Sequence, residues 1–248
     1  MTVRIVLSDV EYSSGKTKLI TGASCAMSTG ITYVIGKNGA GKSTLLKLIA
    51  TAAVPDRGSV VYTRLINEDG AGMYRKQLGV EEVRGMLGYM PQHFTGQTDM
   101  TVEKYLKYMA LHKGIPRRLV KPSLEKWLTE SGLAELKGRK LRSLSGGQLR
   151  KVGFLQAVMN HPRICVLDEP FEGLDSVEKL FFKRTINRLA FHSIVVMSTH
   201  LLEEMDPSED NSLLCMEDGK LSYRGSVEEA GSLFPDEISD GPVHEKYT

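Results

Sequence analysis

The chain has 248 residues, 41% of them hydrophobic and 25% charged, with 32 basic against 30 acidic side chains and a formal net charge of +2. That balance is globular and excludes a disordered or fibrous chain. The near-neutral charge excludes a protein that grips nucleic acid by bulk field, and the length suits one large domain or a core with a small inserted lobe.

The N-terminal segments Val3–Leu7 and Lys18–Ile20 read as strands flanking a turn at Ser13-Ser14-Gly15. Ile31–Ile35 is a β-branched and aromatic run that ends in a glycine-rich turn, and from Lys42 the spacing of Leu45, Leu46, Leu48 and Ile49 predicts a helix. Ser59–Thr63 and Met86–Met90 read as further strands. Between about 93 and 142 the pattern turns helical. Val102, Tyr105, Leu106 and Met109 share one face, and a second helix is expected to begin at Pro122 and stop at Gly132. Alternation then resumes: helix 146–160, strand Ile164–Leu167, helix Asp175–Leu189 with Asp175 and Glu178 spaced as a capping box, strand Ser193–Met197, and a hairpin around Glu217-Asp218-Gly219-Lys220. Residues 234–248 read as a polar tail. No run approaches the roughly 18–20 apolar residues of a membrane span, and no secretory signal is evident. Cys25, Cys165 and Cys215 are odd in number and widely spaced, so buried free thiols in a reducing cytosol are expected.

Gly36-Lys37-Asn38-Gly39-Ala40-Gly41-Lys42-Ser43, followed by Thr44, fits G-x-x-x-x-G-K-[S/T] between a strand and a helix. Glycines let successive backbone N–H groups turn toward phosphate oxygens, and the helix end adds positive potential. Lys42 is placed to bridge the terminal phosphates of a nucleotide and the Ser43 hydroxyl to ligate Mg²⁺. The apolar strand Ile164–Leu167 ends in Asp168 and Glu169, which suit metal binding and polarisation of a water. Leu144-Ser145-Gly146-Gly147-Gln148 opens a second helix with a second glycine loop.

Together these motifs resemble the ATP-binding cassette (ABC) ATPases, whose signature is L-S-G-G-Q. The resemblance covers residues from about 3 to 230. It implies an α/β fold: a P-loop NTPase core with a mainly parallel sheet, an N-terminal antiparallel β subdomain and an inserted α-helical subdomain, all within residues 1–233. It assigns Gln92 to the Q-loop and to the metal site with Ser43 and Asp168. It makes Glu169 the base and His200 the switch histidine near the γ-phosphate. Ser145, Gly146, Gly147 and Gln148 become a loop that closes over the ATP of a second subunit, and Asp175 a dimer-crossing D-loop. The implied ligands are ATP and Mg²⁺, and the implied partners are a second ATPase subunit, a homodimer by default, and an integral-membrane transport subunit. Nucleic acid is not among them, and the expected location is the cytoplasmic face of the membrane.

One position departs from the family pattern. The aromatic residue that usually stacks on adenine falls best on Ser14; Tyr12, two residues earlier, reads equally as an adenine contact or as a core residue beside Val10. Weak base discrimination is therefore expected, with GTP tolerated. Met100–Pro116 resembles bacterial drug and peptide exporter ATPases, with His93, Phe94 and Tyr105 expected to line the groove for the membrane subunit. An importer ATPase and a soluble cassette of the iron–sulfur assembly type are the alternatives.

Overall fold

The computed structural model describes residues 2–68, 72–200, 204–206, 208 and 211–227; the tail expected over 234–248 lies outside them. Strands β1 (Val3–Ser14), β2 (Thr17–Met27), β4 (Arg57–Glu68) and β5 (Gly72–Gln77) form an antiparallel sheet in the order β2-β1-β4-β5. Strands β3 (Gly30–Ile35), β6 (Leu87–Met90), β7 (Ile164–Leu167), β8 (Ile194–Ser198), β9 (Ser212–Glu217) and β10 (Lys220–Ser226) form the second sheet, in the order β10-β9-β3-β8-β7-β6. All its pairings are parallel except the terminal β9–β10 hairpin. The expected core and the N-terminal antiparallel subdomain are thus both present.

The parallel strands are buried on both faces, which is why they read as continuous apolar runs. Along β7, Ile164 and Val166 face one core and Cys165 and Leu167 the other. On the first side lies helix α1 (Lys42–Ile49), whose Leu45, Leu46, Leu48 and Ile49 are buried between the parallel strands and Ile5, Leu7, Val10 and Ile20 of the antiparallel sheet. On the second side lie α5 (Gly146–Val158) and α6 (Ser176–Ala190), joined by the helical segment α3 (Val102–His112) and α4 (Arg117–Glu130). Short 3-10 turns, Ala134–Leu136 and Leu141–Ser143, lead from α4 back to α5. The neck of this segment is tied by backbone hydrogen bonds from Val102 to Arg139, Glu103 to Lys137 and Leu141 to Met100.

Three elements differ from the sequence expectation. Helix α4 starts at Arg117, capped by Pro116, so Pro122 lies inside it. The missing N–H costs little because Pro122 and Arg118, whose carbonyl it would have bonded, are both exposed to water. Strand β5 pairs with β4 from Thr63↔Gln77 to Glu68↔Gly72, and α2 (Val80–Gly85) is one short helix; neither shows a marked apolar period. Cys25 and Cys165 are buried free thiols, which burial pushes up to about 11 and about 12, while Cys215 is half-buried.

Helix α5 packs directly on β6. A Cβ at Gly88 would lie 2.0 Å from the Ala157 carbonyl oxygen. Gly88→Ala is expected to destabilise the protein by about 1–3 kcal/mol, read as a Tm lower by roughly 2–4 °C per kcal/mol in a thermal melt.

Candidate nucleotide site

The site is built at the carboxyl ends of β3, β6, β7 and β8. The parallel register sets Met90 beside Leu167, Leu167 beside Met197, and Val34 beside Ser198. The residues that follow each strand, Gln92, Asp168 and Glu169, His200, and the Gly36–Ser43 loop, are therefore delivered to one rim. A cavity of about 720 Å³ opens there, lined by Leu19, Gly36, Lys37, Asn38, Gly39, Gly41, Lys42, Ser43, Thr44, Gln92, Glu169, Glu172 and His200.

The loop is held from behind. Gly36 adopts φ +148 and a Cβ there would lie 2.3 Å from the Met216 carbonyl oxygen of β9, so only glycine fits. Ala40 is buried, its N–H donates to the Lys37 carbonyl at 3.1 Å, and its own carbonyl accepts from Gly219 N–H at 3.0 Å. Lys42 is buried, and its Nζ donates to the carbonyls of Gly36 at 2.7 Å and Lys37 at 3.3 Å, so the ammonium lies across the mouth of the loop. Helix α1 starts at Gly41 with no side-chain cap and no acidic residue in its first turn. Its N–H groups and positive end face the cavity with no carboxylate in the helix's own first turn to compete.

On the opposite wall the carboxylates are locked by β8. The Ser198 hydroxyl donates to Asp168 Oδ1 at 2.6 Å and accepts from the Glu169 N–H at 2.8 Å. Glu169 sits at φ 46, a left-handed conformation that costs a non-glycine residue of order 1–3 kcal/mol. Its Oε2 accepts from Gln92 Nε2 at 3.2 Å and lies 3.9 Å from His200 Nδ1. Asp168 is buried, and its charge adds to burial in pushing the Tyr89 phenol of β6 up to about 12.

Ser43, Gln92 and Asp168 offer a hydroxyl, an amide and a carboxylate, the hard oxygen donors that Mg²⁺ prefers. Among the described residues no group of three or more His, Cys, Asp or Glu side chains forms a metal cage. The residues present fit an ion that takes few protein ligands and the rest from phosphates and water.

The second glycine loop lies apart. None of Ser145, Gly146, Gly147 and Gln148 lines the cavity. Ser145 caps α5, its Oγ accepting from Gln148 N–H at 3.3 Å while Gln148 Oε1 accepts from Ser145 N–H at 3.1 Å. Gly147 faces the Gly173 carbonyl, next to Asp175, which caps α6 in the expected box with Glu178. Tyr12 is not brought to the cavity either; it is half-buried against the core between the sheets. Leu19, on the neighbouring strand β2, lies there instead, a contact that only the pairing of β1 with β2 places and no motif announces. Tyr105 is buried and meets Phe94 edge-to-face at 5.8 Å, so of the three residues expected to line a docking groove, Tyr105 belongs to the core, Phe94 is half-buried and His93 is exposed.

These features coincide with those of known proteins. Residues 21–172 match the family described as ABC transporter. The chain is 31% identical over 205 residues to the probable multidrug ABC transporter ATP-binding protein YbhF of Escherichia coli, covering 81% of this chain and 33% of that protein. It is 30% identical over 230 residues to ATP-binding cassette sub-family A member 10 of Homo sapiens, covering 90% and 14%. It is 29% identical over 212 residues to the ABC transporter ATP-binding protein NatA of Bacillus subtilis, covering 84% and 80%. The chain thus spans a third or less of the length of the first two relatives. A solved ATP binding subunit of an ABC transporter shares the fold with a TM-score of 0.77 at 22% identity over 93% of each chain. A dimeric cassette bound to ADP and Pi does so at 0.72 and 20%, over 90% of this chain and 98% of the other. The fold and site define a nucleotide-binding ATPase cassette. The chain belongs to the ABC transporter family.

Leu19 is the one aliphatic side chain larger than alanine on the cavity wall among the described residues. Leu19→Ala is expected to weaken ATP binding by about 1 kcal/mol, a roughly fivefold rise in Kd by calorimetry, whereas Tyr12→Ala leaves Kd within about twofold.

Proposed function

We propose that this chain powers transport, in the export direction, through a separate integral-membrane subunit, docking peripherally at the cytoplasmic membrane face and hydrolysing ATP in a dimer of cassettes. The observation that carries this reading is the separation of the two glycine loops. The phosphate loop lines the cavity, while Ser145–Gln148 lies outside it at the start of α5. Each would serve a different nucleotide, one in its own chain and one in the facing copy. No helix among the described residues is long and apolar enough to cross a membrane, so the pathway is assigned to another polypeptide. The multidrug name of the Escherichia coli relative and the exporter-like Met100–Pro116 segment support the direction.

In this reading the phosphate loop, Asn38 and Thr44 bind the triphosphate, and Lys42 leaves the Gly36 carbonyl to neutralise the β- and γ-oxygens. Ser43, Asp168 and Gln92 would hold Mg²⁺, which when bound neutralises charge developing on the phosphates. Glu169 accepts a proton from the attacking water, and His200, on the same side, contacts the γ-phosphate. The signature residues of the facing copy complete the charge stabilisation, and Asp175 lies at the crossing between copies. The signature contacts to the γ-phosphate would exist only when two copies are closed, so ATP favours the dimer and hydrolysis withdraws that preference.

Glu169→Gln is expected to bind ATP, lower kcat by at least about 100-fold and accumulate as a dimer with Mg·ATP in analytical ultracentrifugation. Full turnover by a monomer at high dilution would overturn the shared-site reading. Co-purification with the product of an adjacent membrane-protein gene tests the partner.

A further inference from the structure

Arg150 stands one turn into α5, two residues past Gln148 of the signature, and its side chain is only 13% exposed. It reaches away from its own helix to three partners in two other segments. Its Nη1 donates to the carbonyl oxygen of Glu169. Its Nη2 donates to the carbonyl oxygen of Gln92 at 3.4 Å and to the carboxylate of Glu172 at 2.8 Å. A guanidinium can satisfy several acceptors at once because its N–H groups are fixed in a planar fork, which an ammonium cannot imitate.

The partners are telling. Gln92 and Glu169 meet through their side chains at 3.2 Å in the nucleotide cavity. Arg150 joins the same two residues through their backbones, from behind. Glu169 is held in the left-handed region, so its peptides need support on both sides to stay there. Ser198 Oγ grips its N–H and Arg150 grips its C=O. The remaining charge of the guanidinium is paired with Glu172, which also lines the cavity.

We infer that Arg150 is a positioning residue for phosphoryl transfer: it fixes the Glu169 backbone and ties the base and the Q-loop to the signature helix. This rests on the reading of Glu169 as the base. Arg150 is rooted in α5, the helix that the signature residues open, so the place of the Glu169 and Gln92 backbones is tied to that helix. A cassette whose signature helix is out of place therefore holds its base out of place. A misplacement near 1 Å suffices to slow chemistry by about 100-fold.

The test is steady-state ATPase of the full chain with its membrane partner, alongside ATP binding by calorimetry without Mg²⁺. Arg150→Gln is expected to lower kcat by roughly 10–100-fold while KM and Kd stay within about twofold, because the phosphate loop is untouched. Arg150→Lys keeps the charge but not the fork and is expected to fall between the two. A kcat within about twofold of the parent for Arg150→Gln overturns the inference. So does a Kd that worsens in proportion to kcat, since that marks a general loss of structure. If Arg150→Gln does not fold, Arg150→Lys decides: an unchanged kcat overturns, a several-fold lower kcat at constant KM supports. The two readings fail differently. Parental turnover by Glu169→Gln removes the base beneath the inference, whereas parental turnover by Arg150→Gln beside an inactive Glu169→Gln removes Arg150 alone.

Discussion

The in-register ending of four parallel strands is the constraint on which the site depends. Backbone hydrogen bonds set β3, β8, β7 and β6 side by side so that Tyr33, Met197, Leu167 and Met90 lie at one level near the strand ends. The sheet itself has no chemistry; its alternating side chains fill two cores. What it provides is a rigid edge from which a phosphate loop, two carboxylates, an amide and an imidazole emerge within reach of one another. A one-residue slip of β7 would exchange its two faces and carry Asp168 away from Ser198.

Antiparallel elements hold that edge from the side. The β9–β10 turn, with Asp218 and Gly219 both at positive φ, gives the tight hairpin expected of such residues. The turn also donates from Gly219 N–H to Ala40 and accepts at Gly219 C=O from Thr21 N–H at 2.8 Å. The phosphate loop, the antiparallel sheet and the terminal hairpin are thus fastened at one point. This explains why a loop of small residues keeps its shape: Gly36 is pressed to Met216 and Gly41 to the Leu19 carbonyl, where a Cβ would lie 2.7 Å away.

Most of the rim was legible in the sequence because the chemistry of phosphate binding is local. A glycine loop between a strand and a helix, two acids after an apolar strand, and a capped glycine pair opening a helix are each contained in a few consecutive residues. The parallel strands were legible because burial on both faces leaves only apolar side chains. The misses have a common physical cause. Strand β5 exposes Met73 and Tyr74 and carries Arg75, Lys76 and Gln77, so no apolar alternation marks it. Pro122 is tolerated inside α4 where it and Arg118 are open to water, and that exposure is a tertiary property. Leu19, the Ser198 bridge and the Arg150 fork connect residues from 19 to 58 positions apart in the chain, and no periodicity encodes such a meeting.

The division of polar and apolar surface within the cavity explains how the nucleotide can act as a switch. Its wall is a loop of N–H donors, two lysines, two glutamates, a glutamine and a histidine, with Leu19 as the apolar contribution among the described residues. Recognition is therefore concentrated on the phosphates rather than on the base, and the phosphates are what hydrolysis changes. A site that drew its affinity from stacking the base would hold the product as tightly as the substrate and could not shift an equilibrium between open and closed states. Ser145–Gln148 lies outside the cavity of its own chain, so in the proposed dimer it would add contacts to the γ-phosphate of the facing copy. What the dimer gains in that proposal is affinity for another protein as much as for a nucleotide. Under that proposal turnover and association are two readings of one free-energy difference.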